Sequence, residues 1–321
     1  MADYKAIKGH TIQTVAGDPG TIVDGLIWYD SVARKVQGSK TGAGSWSTGG
    51  DINQGRYSGG SATEAPGTAG LIFGGDSPSY NNTEKYNGTS WTEVGNLNTG
   101  RGNLAGAGTQ TAGLASGGEV SPKGQSEEFD GTNWAEGDDL NTARAGLTGN
   151  GTQTTALNTG GKIGESFQVI NELYNGSAWS ESGDLNTARA YHSTTGDSTA
   201  GLAAGGSSPY TVDSEEFNGT SWTEGNNLNV AKAYIRSGFG TQTASLVCGG
   251  YSPSGTFATT EQYDGTSWTE VGDLPTATRD HFGSGSTSAG LAAGGRSAPG
   301  GTLTEGYEWL EASAAVTFTS S

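Results

Sequence analysis

Few residues in this sequence have the type and spacing that catalysis or metal binding requires. The histidines, His10, His192 and His281, lie far apart along the chain, whereas a metal site needs several ligands at close and regular spacing. The Gly-x-Ser-x-Gly motif that marks the nucleophile of one class of hydrolases is absent. Cys248 lies in the apolar run ASLVCGG, where we expect a small buried side chain. The sequence therefore predicts a protein that is not an enzyme and that needs no metal or cofactor.

Basic residues recur at one position of a repeated pattern, and an acidic residue recurs further along each copy. The basic residues are Arg56, Arg101, Arg144, Arg189, Lys232 and Arg279, and the acids are Glu84, Glu128, Glu172, Glu216, Glu261 and Glu305. Six cations around one opening would attract an anionic ligand. Alternatively, each cation pairs with an acid and ties two copies of the repeat together. We expect this structural role for the basic ring.

Aromatic residues also occur in the most variable segments of the repeat, which follow a Gly-Gly pair in each copy. Variable loops on a constant scaffold are common sites of binding. The candidate ligand-binding residues in these loops are Tyr80, Phe167, Tyr210, Tyr251 and Phe257. Their rings could lie against sugar rings, or they could fold back onto their own copy of the repeat; the sequence leaves both alternatives open.

Tryptophan sets the period of the repeat at 43 to 46 residues. The six copies are marked by Trp46, Trp91, Trp134, Trp179, Trp222 and Trp268. Within each copy, runs of about five residues are bounded by Gly, Asn and Asp, which is too short for helices and typical of strands. Each copy therefore predicts four short strands.

The dipeptides Asn-Gly and Asp-Gly precede most of the tryptophans, as in YNGT and FDGT. A two-residue hairpin turn needs residues that accept a positive φ, and these dipeptides are its strongest sequence signal. Several of them also match the acceptor sequence for N-glycosylation. We expect hairpin turns, because the first residues, MADYKAIKGH, lack the apolar stretch of a secretory signal.

Six copies of four antiparallel strands predict an all-β, six-bladed β-propeller. The first strand of each blade carries many small residues, so we expect it to line the axis, with the aromatic residues filling the wider space between blades. The copies are out of phase with the ends of the chain. We therefore expect the segment around Trp46 to complete the last blade by pairing with residues 303–307, which would close the ring.

The order of Gly-Gly, an aromatic residue, Trp and then Arg resembles the kelch repeat, over most of the chain. The resemblance implies a kelch-like propeller, whereas the Gly-His and Trp-Asp signature of WD40 propellers is absent. Copper oxidases with the kelch fold use aromatic and His ligands with a cross-linked Cys, and Cys248 does not provide that arrangement.

The segment before the repeats differs from them and contains the phrase GLIWYDSVARKVQGSK. Residues 26–29 and 35–37 are expected to form a hairpin, and Trp28 would need a covering surface. This segment resembles the N-terminal attachment pieces of bacteriophage fibre and appendage proteins, and strings such as GTQTAGLA resemble kelch-like repeats of phage virion proteins. We therefore expect an attachment segment at 1–43, a propeller at 44–310 and a tail strand at 311–321.

A formal net charge of -17 argues against binding to nucleic acid, which needs clustered Lys and Arg. No apolar run is long enough to span a membrane. We expect a non-enzymatic virion protein, assembled in the host cytoplasm, that contacts other virion proteins through 1–43 and binds a host-surface glycan or receptor. A homo-oligomer, a kelch-fold carbohydrate-active enzyme and an intracellular protein-binding scaffold remain alternatives.

Overall fold

The chain forms two compact units, which are Ser45–Leu310 and the combination of Met1–Gly44 with Glu311–Ser321. The computed structural model describes residues 13–15, 27–32, 34–41, 44–76, 80–118, 124–207, 209–236, 238–298, 301–311 and 313–317. The predicted tail strand at 311–321 thus belongs to the same unit as the N-terminal segment.

The larger unit is a six-bladed propeller, and each blade is an antiparallel sheet of four strands. This confirms the predicted fold class. Blades 1 to 3 comprise Gly60–Ser61, Leu71–Phe73, Thr83–Tyr86 and Trp91–Glu93; Ala105–Thr109, Ala112–Ser116, Ser126–Phe129 and Trp134–Glu136; and Thr148–Thr152, Thr155–Thr159, Asn171–Tyr174 and Trp179–Glu181. Blades 4 to 6 comprise Ser193–Gly196, Gly201–Ala204, Ser214–Phe217 and Trp222–Glu224; Phe239–Thr241, Ala244–Cys248, Thr260–Tyr263 and Trp268–Glu270; and Phe282–Gly285, Ala289–Ala293, Gly306–Leu310 and Ser45–Thr48.

Blade 6 is completed by the strand Ser45–Thr48, which pairs with Gly306–Leu310 and places Trp46 opposite Trp309. The predicted closure of the ring is therefore confirmed. The third strand lies later than the expected 303–307, because the loop before it is longer than in the other blades. Trp309 consequently occupies the position of the tyrosine or phenylalanine in the other blades, where for example Tyr86 lies opposite Trp91.

The first strands of neighbouring blades contact each other around the whole ring, so they line the axis as expected. Small residues are needed there, because a side chain at Gly106 would place its Cβ 2.4 Å from the backbone nitrogen of Ser61. The aromatic residues lie further out, where Tyr86, Phe129, Tyr174, Phe217 and Tyr263 each pack on the tryptophan of their own blade.

Hairpin turns join the third and fourth strands, as the Asn-Gly and Asp-Gly dipeptides predicted. Gly88 has a φ of 88°. The side-chain oxygen of Asn87 accepts hydrogen bonds from the amides of Thr89 (3.0 Å) and Ser90 (2.9 Å). This side chain thus fixes the turn by bonding its own backbone.

We call the segment that joins the last strand of one blade to the first strand of the next a connector. A closed circle of main-chain hydrogen bonds surrounds the axis where the connectors enter the first strands. Six equivalent residues take part, and the amide of each donates to the carbonyl oxygen of the equivalent residue in the preceding blade, at 2.7 to 2.9 Å. All six have a φ between 51° and 67°. They are Ser58, Asn103, Gly146, Tyr191, Tyr234 and Asp280. Such conformations strain residues other than glycine, and here the circle of bonds holds them in place.

In the smaller unit, four strands form one sheet in the order Gln13–Val15, Ile27–Asp30, Lys35–Thr41 and Ser313–Thr317. The second and third strands form the predicted hairpin, with Trp28 opposite Gln37. Trp28 is fully buried, as its size requires. The strand from the C-terminal part of the chain pairs antiparallel with Lys35–Thr41.

Candidate functional site

Five members of the predicted basic ring form buried ion pairs. Each lies in a connector and pairs with a glutamate on the third strand of the blade that follows that connector. The pairs are Arg56–Glu84, Arg101–Glu127, Arg144–Glu172, Arg189–Glu215 and Lys232–Glu261. An asparagine in the same connector binds the same glutamate; the amide and side-chain nitrogens of Asn186 lie 2.6 and 2.9 Å from Glu215 Oε2. We call this set of connector Asn, connector cation and strand glutamate the latch. Because its cations are buried, the latch holds blades together and leaves no open ring of positive charge.

Two of the expected acids are not the partners of the basic residues. Arg101 pairs with Glu127 at 3.2 Å, not with Glu128, and Arg189 pairs with Glu215 at 2.7 Å, not with Glu216. Successive side chains of a strand point to opposite faces, so only the glutamate two residues before the aromatic faces the connector.

The sixth blade lacks the latch, and Arg279 is not an equivalent of the other basic residues. Thr278 occupies the equivalent position instead. The amide of Gly250 donates to the carbonyl oxygen of Thr278, just as the amide of Gly206 donates to the carbonyl oxygen of Lys232. The asparagine is replaced by Pro275, and register places Tyr307 at the position of the glutamate. The expected pairing of Arg279 with Glu305 is therefore wrong. All three polar members are replaced together, so no charge is left unpaired in this junction.

The two described histidines and Cys248 are parts of the core. His192 is fully buried, with Nε2 at 2.9 Å from Thr148 Oγ1 and 2.7 Å from Thr159 Oγ1. His281 Nε2 lies 3.2 Å from Cys248 Sγ. Burial raises the pKa of Cys248 to about 12, which makes its thiol a poor nucleophile. Cys248 is thus the buried side chain that the sequence predicted, while His10 lies outside the described residues.

Aromatic side chains from several blades meet on the face that carries the connectors, and we call them the aromatic face. Tyr191 and Tyr234 stack with ring centroids 4.6 Å apart. Tyr251 packs edge-on against Tyr234 at 6.1 Å and against Tyr210 at 6.0 Å. Phe167 packs on the same cluster. Tyr210, Tyr234, Tyr251 and Phe167 remain partly exposed, so a ligand can reach them.

Cations lie over the rings of this face. The Arg279 guanidinium is 4.1 Å from the centroid of Tyr251, and that of Arg296 is 4.5 Å from the centroid of Tyr57. Both lie about equally far from Tyr234, at 5.9 and 6.0 Å. Cations in such positions are attracted by the ring electrons and hold the rings in place.

Three of the five aromatic residues predicted from the sequence, Phe167, Tyr210 and Tyr251, lie on the aromatic face. Tyr80 and Phe257 lie in the corresponding loops of blades 1 and 5, and their backbones bond to Gly75 and Gly250. Sequence reasoning missed Tyr57, Tyr191, Tyr234 and Arg296. The signal for the first three was an aromatic one or two residues after the connector cation, as in RY, RAY and KAY.

Two titratable groups at the aromatic face have shifted pKa values. Burial raises the pKa of Tyr234 to about 12, so its hydroxyl stays protonated. Burial also raises the pKa of Asp280, against the opposing charges of Arg296 and Arg236. Asp280 Oδ2 accepts a 3.0 Å hydrogen bond from Arg296 Nε.

Arg236 closes the axis near the aromatic face. Its guanidinium donates to the carbonyl oxygens of Ser58 (3.3 Å), Leu104 (2.7 Å) and Leu147 (3.1 Å), which belong to three different connectors. Blade 5 has one residue more than blades 2, 3 and 4 between its connector cation and the glycine of the first turn. This extra residue gives Arg236 the room to reach across the axis.

A cavity of about 710 Å³ opens on the opposite face, where the first and second strands turn. Its lining is mostly small and hydroxyl-bearing, with the carboxylates of Glu64 and Asp197 from blades 1 and 4. Burial and the charge of Asp197 raise the pKa of Glu64. Thr63 of blade 1 donates a 2.8 Å hydrogen bond to Asn150 of blade 3, which links two blades that are not neighbours in the ring.

Among the residues that the structure describes, no three His, Cys, Asp or Glu side chains lie close enough together to hold a metal ion. In the same part of the chain, no helix is long and apolar enough to cross a membrane.

Comparison with known proteins identifies the fold. No family model matches the sequence, and no curated protein matches it. Among solved structures, that of YjhT, a bacterial propeller protein, is similar with a TM-score of 0.67 and 13% identity, over 81% of this chain and 96% of YjhT. At this identity the likeness establishes the six-bladed propeller fold and nothing about activity.

Proposed function

We propose that this chain is a non-enzymatic structural protein of a bacteriophage virion, in a tail fibre, appendage or capsid decoration, and that its propeller binds a host-surface glycan. The observation that carries the binding role is the aromatic face, where side chains from separate blades form one partly exposed cluster. Binding is assigned to this face because its rings come from variable loops and connectors on a constant scaffold.

The chemistry of the aromatic face suits a saccharide. Tyrosine rings offer flat apolar surfaces and a hydroxyl that forms hydrogen bonds, so they contact the apolar faces and the hydroxyls of a sugar together. The rings are also fixed in place: Tyr191 and Tyr234 belong to the hydrogen-bonded circle, and the Tyr251 amide donates a 2.8 Å bond to Ala233. Rings held in advance lose little entropy when a ligand binds.

The virion role has a different support. The repeats and the N-terminal phrase resemble those of phage virion proteins, and residues 1–44 belong to a unit separate from the propeller. A separate unit suits attachment to other virion proteins, while the propeller remains available for a ligand.

Glycan arrays probed with the full chain test the binding role. We expect saccharides to bind, and we expect the double variant Tyr210→Ala/Tyr251→Ala to lose most of that binding. Tyr80→Ala is the matched control, because Tyr80 is a partly exposed loop tyrosine of another blade, outside the cluster. Binding that survives the double variant, with circular dichroism showing a folded protein, would contradict the proposed role of this face.

The virion role is tested separately. Purified particles from the source phage should contain the protein by mass spectrometry and show antibody label by electron microscopy. Its absence from purified particles would overturn the virion role without affecting the glycan result.

A further inference from the structure

Two arginines lie side by side on the aromatic face. Arg279 and Arg296 exchange main-chain hydrogen bonds of 3.1 and 3.0 Å, which makes them directly opposite residues of an antiparallel bridge. Directly opposite residues of such a pair project their side chains to the same face. Both guanidiniums consequently lie near Tyr234, at 5.9 and 6.0 Å from its ring centroid.

The hydrogen-bonding capacity of this pair is largely unused. Asp280 binds the Nε of Arg296, which leaves the two terminal nitrogens of that guanidinium without a carboxylate. Among the described residues, no carboxylate lies within ion-pair distance of Arg279, and its buried Nε has no hydrogen-bond partner. The Arg296 side chain is 27% exposed, so the pair can be reached from solvent.

The local charge is positive in a protein that is acidic overall. Asp76 and Asp280 face the three guanidiniums of Arg236, Arg279 and Arg296, which leaves one cation in excess. Arg236 already donates to four protein oxygens. The excess charge is therefore available at Arg279 and Arg296. A net charge of -17 repels anions at long range, so an anion is held here only by direct contact.

Resting on the proposed glycan binding at this same face, we propose that Arg279 and Arg296 bind the anionic group of an acidic saccharide, while Tyr251 and Tyr234 contact its sugar rings. Guanidinium groups bind carboxylates and sulfates through paired hydrogen bonds. Both kinds of acidic saccharide share this chemistry.

Paired saccharides that differ only in charge test the inference. An array should carry oligogalacturonides beside their methyl esters, and dextran sulfate beside dextran. We expect binding to be concentrated in the acidic member of a pair, and the pair that binds will show whether a carboxylate or a sulfate is recognised.

Calorimetry with the best acidic and neutral pair then tests the residues. Arg279→Gln and Arg296→Gln should each weaken binding of the acidic member about tenfold or more, since each removes charge-assisted hydrogen bonds. Binding of the neutral member should weaken less, because it loses no charge-assisted hydrogen bond. Arg34→Gln is the matched control, because it removes the same charge from an exposed arginine outside the propeller.

The results that would overturn this inference differ from the result that would overturn the proposed glycan binding. Equal binding of acidic and neutral members, or acidic binding that both glutamine variants retain, would overturn this inference and leave glycan binding intact. An array on which no saccharide binds would overturn the proposed glycan binding, and this inference with it.

Discussion

The hydroxyl of Tyr263 in blade 5 donates a 2.6 Å hydrogen bond to Glu216 on the third strand of blade 4. At other blade junctions, the aromatic residue and the residue that faces it from the preceding blade vary together. Where the aromatic is tyrosine, the preceding blade supplies a glutamate; where it is phenylalanine, the preceding blade supplies lysine or leucine. The pairs are Tyr86–Glu308, Tyr174–Glu128, Phe129–Lys85 and Phe217–Leu173.

Tyr263→Phe should lower the free energy of unfolding by about 1 kcal/mol, because Glu216 loses its partner in a partly buried position. Adding Glu216→Leu should recover much of this loss, since Leu and Phe face each other between blades 3 and 4. Urea denaturation of both single variants and the double variant gives the coupling energy. A double variant as unstable as the sum of the two single variants would show that the pair does not act together.

Removal of one latch member should strongly lower the free energy of unfolding. Arg144→Thr leaves Glu172 buried without its cation and should cost about 3 to 5 kcal/mol. The triple variant Asn141→Pro/Arg144→Thr/Glu172→Tyr copies the junction of blade 6, which contains no charge, and should be more stable than Arg144→Thr alone. Thermal and urea unfolding of the two variants decide this, and a triple variant that is less stable would show that the charges favour folding at this junction.

Arg236→Met should destabilise the propeller by about 3 kcal/mol or more, because it removes charge-assisted bonds to three connectors. Arg34→Met is the control, since that exposed arginine lies outside the propeller. Urea unfolding measures both, and equal stability of the two variants would show that the axis does not need this side chain.

Low pH should lower the free energy of unfolding, because burial disfavours protonation of two histidines. Burial lowers the pKa of His281 from 6.5 to about 4 and also lowers that of His192. Between these pH values the unfolded chain binds protons that the folded chain excludes, so stability is lost as pH falls from 6.5 towards about 4. For His281 this amounts to about 3 kcal/mol.

His281→Leu should flatten that part of the pH profile, because Leu104 and Leu147 fill the same position in blades 2 and 3. The difference between the wild-type and variant curves isolates His281 from the titrating carboxylates. Parallel curves from pH 7 to 4 would contradict a proton-linked role for this residue.

Most of the fold could be predicted from the sequence, because each signal is local and recurs in several copies. Three signals predicted the blades and the closure of the ring. They are the Asn-Gly turns, the small residues in the first strands and the position of Trp46, which is out of phase with the ends of the chain. The latch acids could also have been found: counting two residues back from the aromatic gives Glu127, Glu215 and, in blade 6, Tyr307. Counting four residues from Leu274 gives Thr278 as the equivalent of the connector cations.

The aromatic face could be predicted only in part. Phe167, Tyr210 and Tyr251 stood out as loop aromatics, but their meeting with Tyr234 depends on the positions of loops and connectors from different blades. Arg279 and Arg296 are 17 residues apart and become neighbours only through a main-chain bridge. No periodic pattern in the sequence encodes that contact.

The reach of Arg236 has a consequence for how this ring can evolve. Similar copies in one gene can recombine unequally, which adds or deletes a whole copy. A seventh blade would widen the axis and move the oxygens of Ser58, Leu104 and Leu147 away from one guanidinium. A change in copy number would therefore cost this single unrepeated side chain its hydrogen bonds across the axis.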